Sequence, residues 1–368
     1  MSSVVFDAPL ATNAHAWMPS SPCGPNCVEA VDRVGTARLA GRLAQVAGLL
    51  VSFPVVNAIT PRGRREAVQR GYAQALLGCL GMRLRVVDNR VAAATVSETA
   101  RPDLVSHIGT ALRRDDRGAR DGADPVRFAP KDTGVLVITG HIGWTDVVVL
   151  AAVQPLGFVA RADLIDWPLL GRLAKLMRII PIEREKLRAL PGVVDTIAGR
   201  LAAGDRIAAF PEGTTWCGRA FGRMRPALFQ AAVDAGAYVQ PVRLRYLDRD
   251  GAQCTVCGFV GEDTFASSAA RILRSRGMVA EITLEPLEYP GLDRRDLARR
   301  CENAVRGSVP SRHGGADTEW IEASATRVQD PAPAVPQRAP GQRGPGMRRR
   351  AVALFRGRGR DAKSVRIG

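Results

Sequence analysis

Between residues 135 and 242, short apolar runs alternate with longer segments of helical pattern. The five runs are VLVIT (135–139), GFVA (157–160), RIIPI (178–182), RIAAF (206–210) and YVQPV (238–242). Strands that alternate with helices of about 10 to 15 residues favour a largely parallel sheet, because parallel strands need long crossover connections. A further strand at 279–285 and a helix at 293–307 continue the pattern. The sequence therefore predicts an α/β fold, a largely parallel, helix-flanked sheet whose parallel strands end at one edge.

The most apolar stretch of the chain lies before this pattern, at residues 43–59 (LAQVAGLLVSFPVVNAI). It is shorter than the roughly 20 apolar residues that cross a bilayer, and Pro54 interrupts it. Arginines flank both of its ends: Arg38, Arg42, Arg62, Arg64 and Arg65. These features predict a helix, or a broken helix pair, that lies in one membrane leaflet. The alternative is a buried core helix.

Composition divides the chain into four segments. Residues 1–35 are irregular, 36–82 form the membrane-associated helical segment, 83–308 form the α/β domain, and 309–368 are rich in Pro, Gly and Arg. We expect the last segment to be a disordered basic tail. Residues 338–368 carry +9 of the formal net charge of +16, so the excess charge says little about the folded body. Such a tail favours contact with an anionic lipid leaflet; the alternatives are RNA or no specific partner.

Seven cysteines are scattered along the chain, and no secretion signal is recognised near residue 20. Reduced thiols in a cytosolic setting are therefore expected. Cys23 and Cys27 leave open a loop disulfide or a metal pair, both less favoured than two reduced thiols. Cys254 and Cys257 have the spacing of half a zinc knuckle, but a strand-like alternation would put their thiols on opposite faces. We predict small core residues there, and no metal site.

One histidine directly follows a predicted strand. His141 comes after VLVIT, and Asp146 lies five residues later, in the first turn of the next helix. The carboxylate can accept a hydrogen bond from one imidazole nitrogen, which fixes the tautomer and leaves the other nitrogen free to accept a proton. The alternative is an ordinary loop histidine with a helix-capping aspartate.

Two further polar clusters follow strands. The turn Phe210–Trp216 (FPEGTTW) can offer backbone N–H groups to a phosphate, or it is an ordinary turn. Arg184 ends the run after RIIPI and can bind phosphate bidentately, or it forms an ion pair with Glu183 or Glu185. Since the ends of parallel strands share an edge, we expect both clusters to meet His141 in one cleft.

The order of these motifs resembles that of the lysophosphatidate (1-acyl-sn-glycerol-3-phosphate) acyltransferases and the wider glycerolipid acyltransferase family. The resemblance covers about residues 134–308. Its four blocks are matched by His141 with Asp146, Ile179–Arg184, Phe210–Thr214 and Val239–Val242. The third block, Phe-Pro-Glu-Gly-Thr, is unchanged, whereas Gly140 stands where many members carry Asn.

The resemblance implies transfer of a fatty acyl group from an acyl thioester to the hydroxyl of a lysophospholipid. The expected acceptor is 1-acyl-glycerol 3-phosphate, which gives phosphatidic acid. His141 is the expected general base and Asp146 orients it. Five residues are expected to bind substrate: Arg184, Glu212, Gly213 and Thr214 at the phosphate, and Pro241 at the floor of the acyl pocket. Acyl-CoA or acyl-carrier protein is the co-substrate, with no cofactor and no metal.

Alternative acceptors are a lyso-ornithine lipid, glycerol 3-phosphate or a glycolipid. An alternative of another class is a non-catalytic lipid- or nucleic-acid-binding module driven by the basic tail. The expected partners are the lysophospholipid, the thioester donor and an anionic membrane surface, without specific nucleic acid. The expected location is the cytoplasmic face of the cell membrane, as a peripheral or monotopic protein.

Overall fold

The computed structural model describes residues 19–30, 32–90, 126–162, 178–183 and 186–307. Arg184 and the basic tail predicted at 309–368 lie outside the described residues.

A seven-stranded sheet forms the centre of the described chain, in the order β1-β7-β6-β2-β5-β3-β4. The strands are β1 (Met82–Asp88), β2 (Val135–Ile138), β3 (Gly157–Arg161), β4 (Ile180–Ile182), β5 (Arg206–Ala209), β6 (Tyr238–Leu247) and β7 (Met278–Leu284). All neighbouring strands run parallel except β6 and β7, which are antiparallel. The predicted largely parallel sheet is therefore confirmed.

Helices cover both faces of this sheet. They are α1 (Thr36–Ile59), α2 (Arg65–Cys79), α3 (Thr145–Val153), α4 (Leu190–Ala202), α5 (Gln230–Ala235), α6 (Phe265–Arg274) and α7 (Arg294–Arg306). Side chains of β2 alternate between two apolar clusters, since successive residues of a strand point to opposite faces. Val135 and Val137 pack in the cluster that contains residues of α2, α3 and α6. Leu136 and Ile138 pack in the cluster with residues of α4, α5 and α7.

Strand β6 changes partner along its length. Tyr238–Pro241 pair with β2 in parallel, and Val242–Leu247 pair with β7 in antiparallel fashion. Pro241 is the last residue of β6 that pairs with β2, and its missing N–H is tolerated where the partner strand changes. It pairs with Ile138, the last residue of β2. The buried Pro241 therefore lies at the edge of the sheet from which His141 follows.

Helix α1 is one continuous helix that includes Pro54, not a broken pair. Its 24 residues extend about 36 Å, so by length and composition alone the helix could cross a membrane. Two polar residues in its second half face the protein: Ser52 accepts a hydrogen bond from Tyr72, and Asn57 accepts one from Gln69.

The opposite face of α1 is apolar and exposed. Val51 and Ile59 are 77% and 76% exposed, and the same face presents Leu43, Leu50 and Val55. These residues recur at helical spacing, so they form one stripe along the helix. The alternative of a buried core helix is therefore wrong for this segment.

Candidate active site

The predicted imidazole–carboxylate pair is formed at the end of β2. His141 follows β2 after two residues, and Asp146 lies in the first turn of α3. His141 Nδ1 lies 2.8 Å from Asp146 Oδ2, with the His141 side chain 15% exposed and the Asp146 side chain fully buried. The same oxygen accepts the backbone N–H groups of Ile142 and Gly143, at 2.7 Å and 3.0 Å. Because this oxygen acts as an acceptor, Nδ1 donates to it, and Nε2 remains the ring atom that can accept a proton.

A tyrosine that the sequence analysis did not single out completes this network. The hydroxyl of Tyr246, on β6, donates to Asp146 Oδ1 at 2.8 Å and lies 2.8 Å from Thr145 Oγ1. Burial, followed by the nearby Asp146 charge, raises the pKa of Tyr246 well above its ordinary value, so the hydroxyl stays a donor. Tyr246 is 100 residues from Asp146, so no local motif joins the two. Tyr246 faces inward on β6, and a buried tyrosine needs a partner for its hydroxyl. This position on the strand was the signal that could have identified Tyr246.

The turn after β5 packs directly against His141. The ring of Phe210 stacks on the imidazole, with centroids 4.0 Å apart and planes 16° from parallel. The backbone N–H of Trp216 donates to the carbonyl of His141 at 2.7 Å. These contacts restrict the imidazole ring and hold its loop against the Phe210–Trp216 turn.

Glu212 connects the same turn to the backbone of His141. Its Oε2 accepts the backbone N–H of His141 at 2.8 Å, and its Oε1 lies 4.0 Å from Arg306 Nη2 on α7. Burial raises the pKa of Glu212 to about 8, although the His141 N–H and the Arg306 charge both act to lower it. Because its buried side chain accepts the His141 N–H, Glu212 supports the loop that carries the histidine.

Gly213 and Thr214 occupy the tip of this turn. Gly213 has φ +76°, a conformation that favours glycine, and its N–H donates to the carbonyl of Phe210 at 3.0 Å. A Cβ at this position would lie 2.7 Å from Pro19 Cγ, so the N-terminal segment packs over the turn. Thr214 is half-buried. The substrate-binding roles of Glu212, Gly213 and Thr214 stay predictions.

Replacing Glu212 by Gln should change how the free energy of unfolding depends on pH. Unfolded glutamate ionises near its ordinary pKa of 4.5, whereas the folded protein keeps Glu212 protonated to about pH 8. The contribution of this group to stability is therefore complete below the unfolded pKa and is lost as pH rises through the folded value. Glu212→Gln removes the ionisation and keeps an oxygen for the His141 N–H.

Denaturant unfolding at several pH values checks this expectation. The free energy of unfolding of Glu212→Gln, relative to the wild-type protein, should increase steadily from about pH 5 to pH 8. A difference between the two proteins that does not change with pH would contradict it.

The strand that precedes Arg184 ends at the same side of the sheet as β2, as the sequence predicted. β4 is parallel to β3, and β2, β5, β3 and β4 are consecutive parallel strands, so their carboxyl ends share one edge. β4 is the outermost of these strands, three strand spacings or about 14 Å from β2. Since Arg184 itself lies outside the described residues, its phosphate-binding role stays a prediction.

The cysteines differ from their predicted arrangement in two ways. Cys254 and Cys257 are buried as predicted, but their segment contains a turn and is not a strand. Cys217 lies beside Cys23 and Cys27, with all three sulfur atoms within 4.8 Å of one another. This group of three could hold a metal ion, which the spacing of Cys23 and Cys27 alone did not favour.

Comparisons with known proteins agree with these motifs. A family model described as Acyltransferase matches residues 126–245. The chain is 37% identical over 173 residues to the lyso-ornithine lipid O-acyltransferase of Pseudomonas aeruginosa, covering 47% of this chain and 66% of that protein. It is 33% identical over 191 residues to the protein of the same name from Brucella abortus, covering 48% of this chain and 72% of that protein.

A relative with another acceptor in its name is also similar. The 1-acyl-sn-glycerol-3-phosphate acyltransferase of Neisseria gonorrhoeae is 35% identical over 131 residues, covering 35% of this chain and 51% of that protein. The chain thus aligns with about half to two thirds of the length of the Neisseria and Pseudomonas relatives. The His141–Asp146 and Phe210–Thr214 blocks both lie inside the range of the family match. With this match and the extent of the Brucella alignment, the chain belongs to the glycerolipid acyltransferase family.

Proposed function

We propose that this chain transfers a fatty acyl group from an acyl thioester to the free hydroxyl of a lysolipid. The observation that carries the proposal is the hydrogen bond from the His141 ring to the buried Asp146, at the edge of the sheet where the parallel strands end. An imidazole held in this way is a suitable general base for an alcohol, which is a weak nucleophile at neutral pH.

In this mechanism the acceptor hydroxyl attacks the thioester carbonyl directly. Nε2 of His141 takes the hydroxyl proton as the new C–O bond forms, which contributes roughly 10² to 10⁴ in rate. Asp146 holds the ring and stabilises the imidazolium. The C–S bond then breaks, and the imidazolium returns the proton to the leaving thiolate. The proposed mechanism has no acyl-enzyme intermediate, because residues 139–146 contain no serine or cysteine that could act as a nucleophile.

Two acceptors are supported by separate observations. A lyso-ornithine lipid is the first, because the two relatives of that name align over 66% and 72% of their own lengths. 1-Acyl-glycerol 3-phosphate is the second, because the Neisseria relative is 35% identical and the motif order resembles that group. The donor is acyl-CoA or acyl-carrier protein.

The exposed stripe on α1 supports docking on a membrane, where a lysolipid acceptor resides. We propose that Leu43, Leu50, Val51, Val55 and Ile59 enter the leaflet, since water-exposed apolar area favours such transfer. The double variant Val51→Glu, Val55→Glu should sediment less with anionic vesicles than the wild-type protein. Equal sedimentation would contradict docking through this face.

The proposed reaction is tested with the purified full chain in detergent. The protein is incubated with acyl-CoA or acyl-carrier protein and with each lysolipid separately, and products are measured by mass spectrometry. Esterified product from a lyso-ornithine lipid or from lysophosphatidate supports the proposal, and the faster of the two identifies the acceptor. No esterified product from any lysolipid with either donor would overturn it.

Arg184→Ala provides a matched comparison between the acceptors. A phosphate-binding arginine should raise KM for lysophosphatidate and change KM for a lyso-ornithine lipid much less, because the ornithine headgroup carries no phosphate. An equal change for both acceptors would contradict the predicted role of Arg184.

A further inference from the structure

Three cysteine side chains meet in a small cluster that the proposed reaction does not use. Cys23 and Cys27 come from the N-terminal segment, and Cys217 comes from the loop that follows the Phe210–Trp216 turn. Their sulfur atoms all lie within 4.8 Å of one another. Cys23 and Cys217 are 4% and 2% exposed, while Cys27 is half-buried at the surface side of the cluster. Residues about 190 positions apart in the sequence therefore bring three potential ligands to one point.

The segment that carries Cys23 and Cys27 has little regular structure of its own. In residues 19–30 and 32–34, which we name the N-terminal strap, the one helical turn is a 3-10 turn at Pro25–Cys27. The strap is attached by an ion pair between Glu29 and Arg219 and by the Glu29 N–H, which donates to Thr255 Oγ1 at 2.9 Å. Its apolar contacts belong to a small cluster formed by Cys23, Trp216, Cys217, Ala220 and Val260. Farther along the strap, the Val34 N–H donates to the carbonyl of Arg274 at 2.8 Å. The part that carries Cys23 and Cys27 packs in the small apolar cluster, and a cross-link between the cysteines would strengthen this attachment.

The spacing of the three sulfur atoms suits a thiolate metal site. Zinc binds thiolates at about 2.3 Å in tetrahedral geometry, which separates the ligand sulfurs by about 3.8 Å. The three sulfur atoms here lie within 4.8 Å of one another, so zinc binding requires only a small contraction of the cluster. A disulfide would use two of the sulfurs and leave the third outside the bond, whereas a soft metal ion uses all three.

We propose that Cys23, Cys27 and Cys217 bind one zinc ion, which fixes the N-terminal strap to the loop beside the Phe210–Trp216 turn. Within the described ranges no further His, Cys, Asp or Glu joins this group, so a water molecule or another small ligand would complete the coordination. Because Pro19 of the strap packs over Gly213, the ion would hold the strap in place on the turn that contacts His141. The inference concerns binding of a metal and does not depend on the reaction proposed above.

The test measures zinc in the full chain, purified in detergent without chelator. Elemental analysis should find about one zinc per chain in the wild-type protein. Cys27→Ser and Cys217→Ser should each lose most of this zinc. Cys254→Ser, a change at a buried cysteine outside the cluster, should retain it.

A second measurement covers the case in which the serine variants do not fold. The wild-type chain is stripped of metal under reducing conditions and titrated with Co²⁺, which gives a strong thiolate-to-metal absorption band when cysteines bind it. That band, together with protection of Cys27 from alkylation when Zn²⁺ is added, supports the site.

Three results would overturn the proposal. The first is a wild-type chain that contains no zinc and gives no Co²⁺ thiolate band. The second is a zinc content that does not change in the Cys27→Ser and Cys217→Ser variants. The third is a disulfide between two of the three cysteines in freshly purified protein.

Discussion

His141→Ala should abolish acyl transfer and leave the protein folded. The variant removes the group that takes the acceptor proton, so kcat/KM should fall by at least about a hundredfold. The His141 side chain is partly exposed at the sheet edge, and its removal leaves Asp146 with two backbone N–H donors and Tyr246. The hydrogen bonds to the turn use the backbone N–H and carbonyl of His141, which remain in alanine, and the stacking of Phe210 on the imidazole is the turn contact that is lost.

The measurement compares initial rates of product formation with thermal unfolding of the same preparation. His313→Ala is the matched control, because it also removes an imidazole but lies outside the motif blocks. Activity above about a hundredth of the wild-type rate in a folded His141→Ala protein would show that His141 is not the general base.

The parts of the fold that local sequence could predict are those set by short-range periodicity. The runs at 135–139 and 206–210 became β2 and β5, since continuous apolar runs are typical of strands buried on both faces. The continuation of β6 to Leu247 was not predicted. Its outer half pairs with β7 and not with β2, so alternate residues such as Arg243 and Arg245 are partly exposed and interrupt the apolar run.

Helix α6 was also missed, although a local signal was present. Thr264 caps its first turn, accepting from Ser267 N–H while the Ser267 hydroxyl accepts the N–H of Thr264. A serine in place of the more common Glu or Gln makes this capping box easy to overlook. The position of α6 matters to the fold because its buried residues Ile272 and Leu273 pack in the same apolar cluster as residues of α2 and α3.

The residues of the candidate site also fall into a group that local sequence predicts and a group that it does not. The pairing of His141 with Asp146 was predictable because both groups lie on one loop and the following helical turn. Tyr246 and Arg306 were not, because they reach the site from β6 and α7 through contacts between residues distant in sequence. The grouping of Cys217 with Cys23 and Cys27 was not predictable for the same reason. Spacing along the chain therefore identified the reactive groups, whereas the residues that support them required the three-dimensional arrangement.

Asp146→Asn should lower kcat by roughly two to four orders of magnitude without unfolding the protein. Asp146 Oδ2 accepts three hydrogen bonds, from the His141 ring and from the backbone of Ile142 and Gly143. An asparagine can direct its oxygen toward these donors, which places its NH₂ group toward the hydroxyl of Tyr246. That hydroxyl can rotate and accept, because an O–H group is both donor and acceptor. The geometry therefore survives, and what disappears is the negative charge that stabilises the imidazolium.

Tyr246→Phe is the matched control for this substitution. It removes one donor to Asp146 and keeps both the carboxylate and its bond to His141. Losing that bond should cost about 1–3 kcal/mol of stability and lower kcat by no more than about tenfold. Rates for both variants, measured with the same donor and acceptor and accompanied by denaturant unfolding, separate charge from support. If Tyr246→Phe lost as much activity as Asp146→Asn, the effect would arise from the shared network and not from the carboxylate charge. If Asp146→Asn kept wild-type kcat, Asp146 would have no role in activating His141, and the proton transfer proposed for this site would need another source of charge.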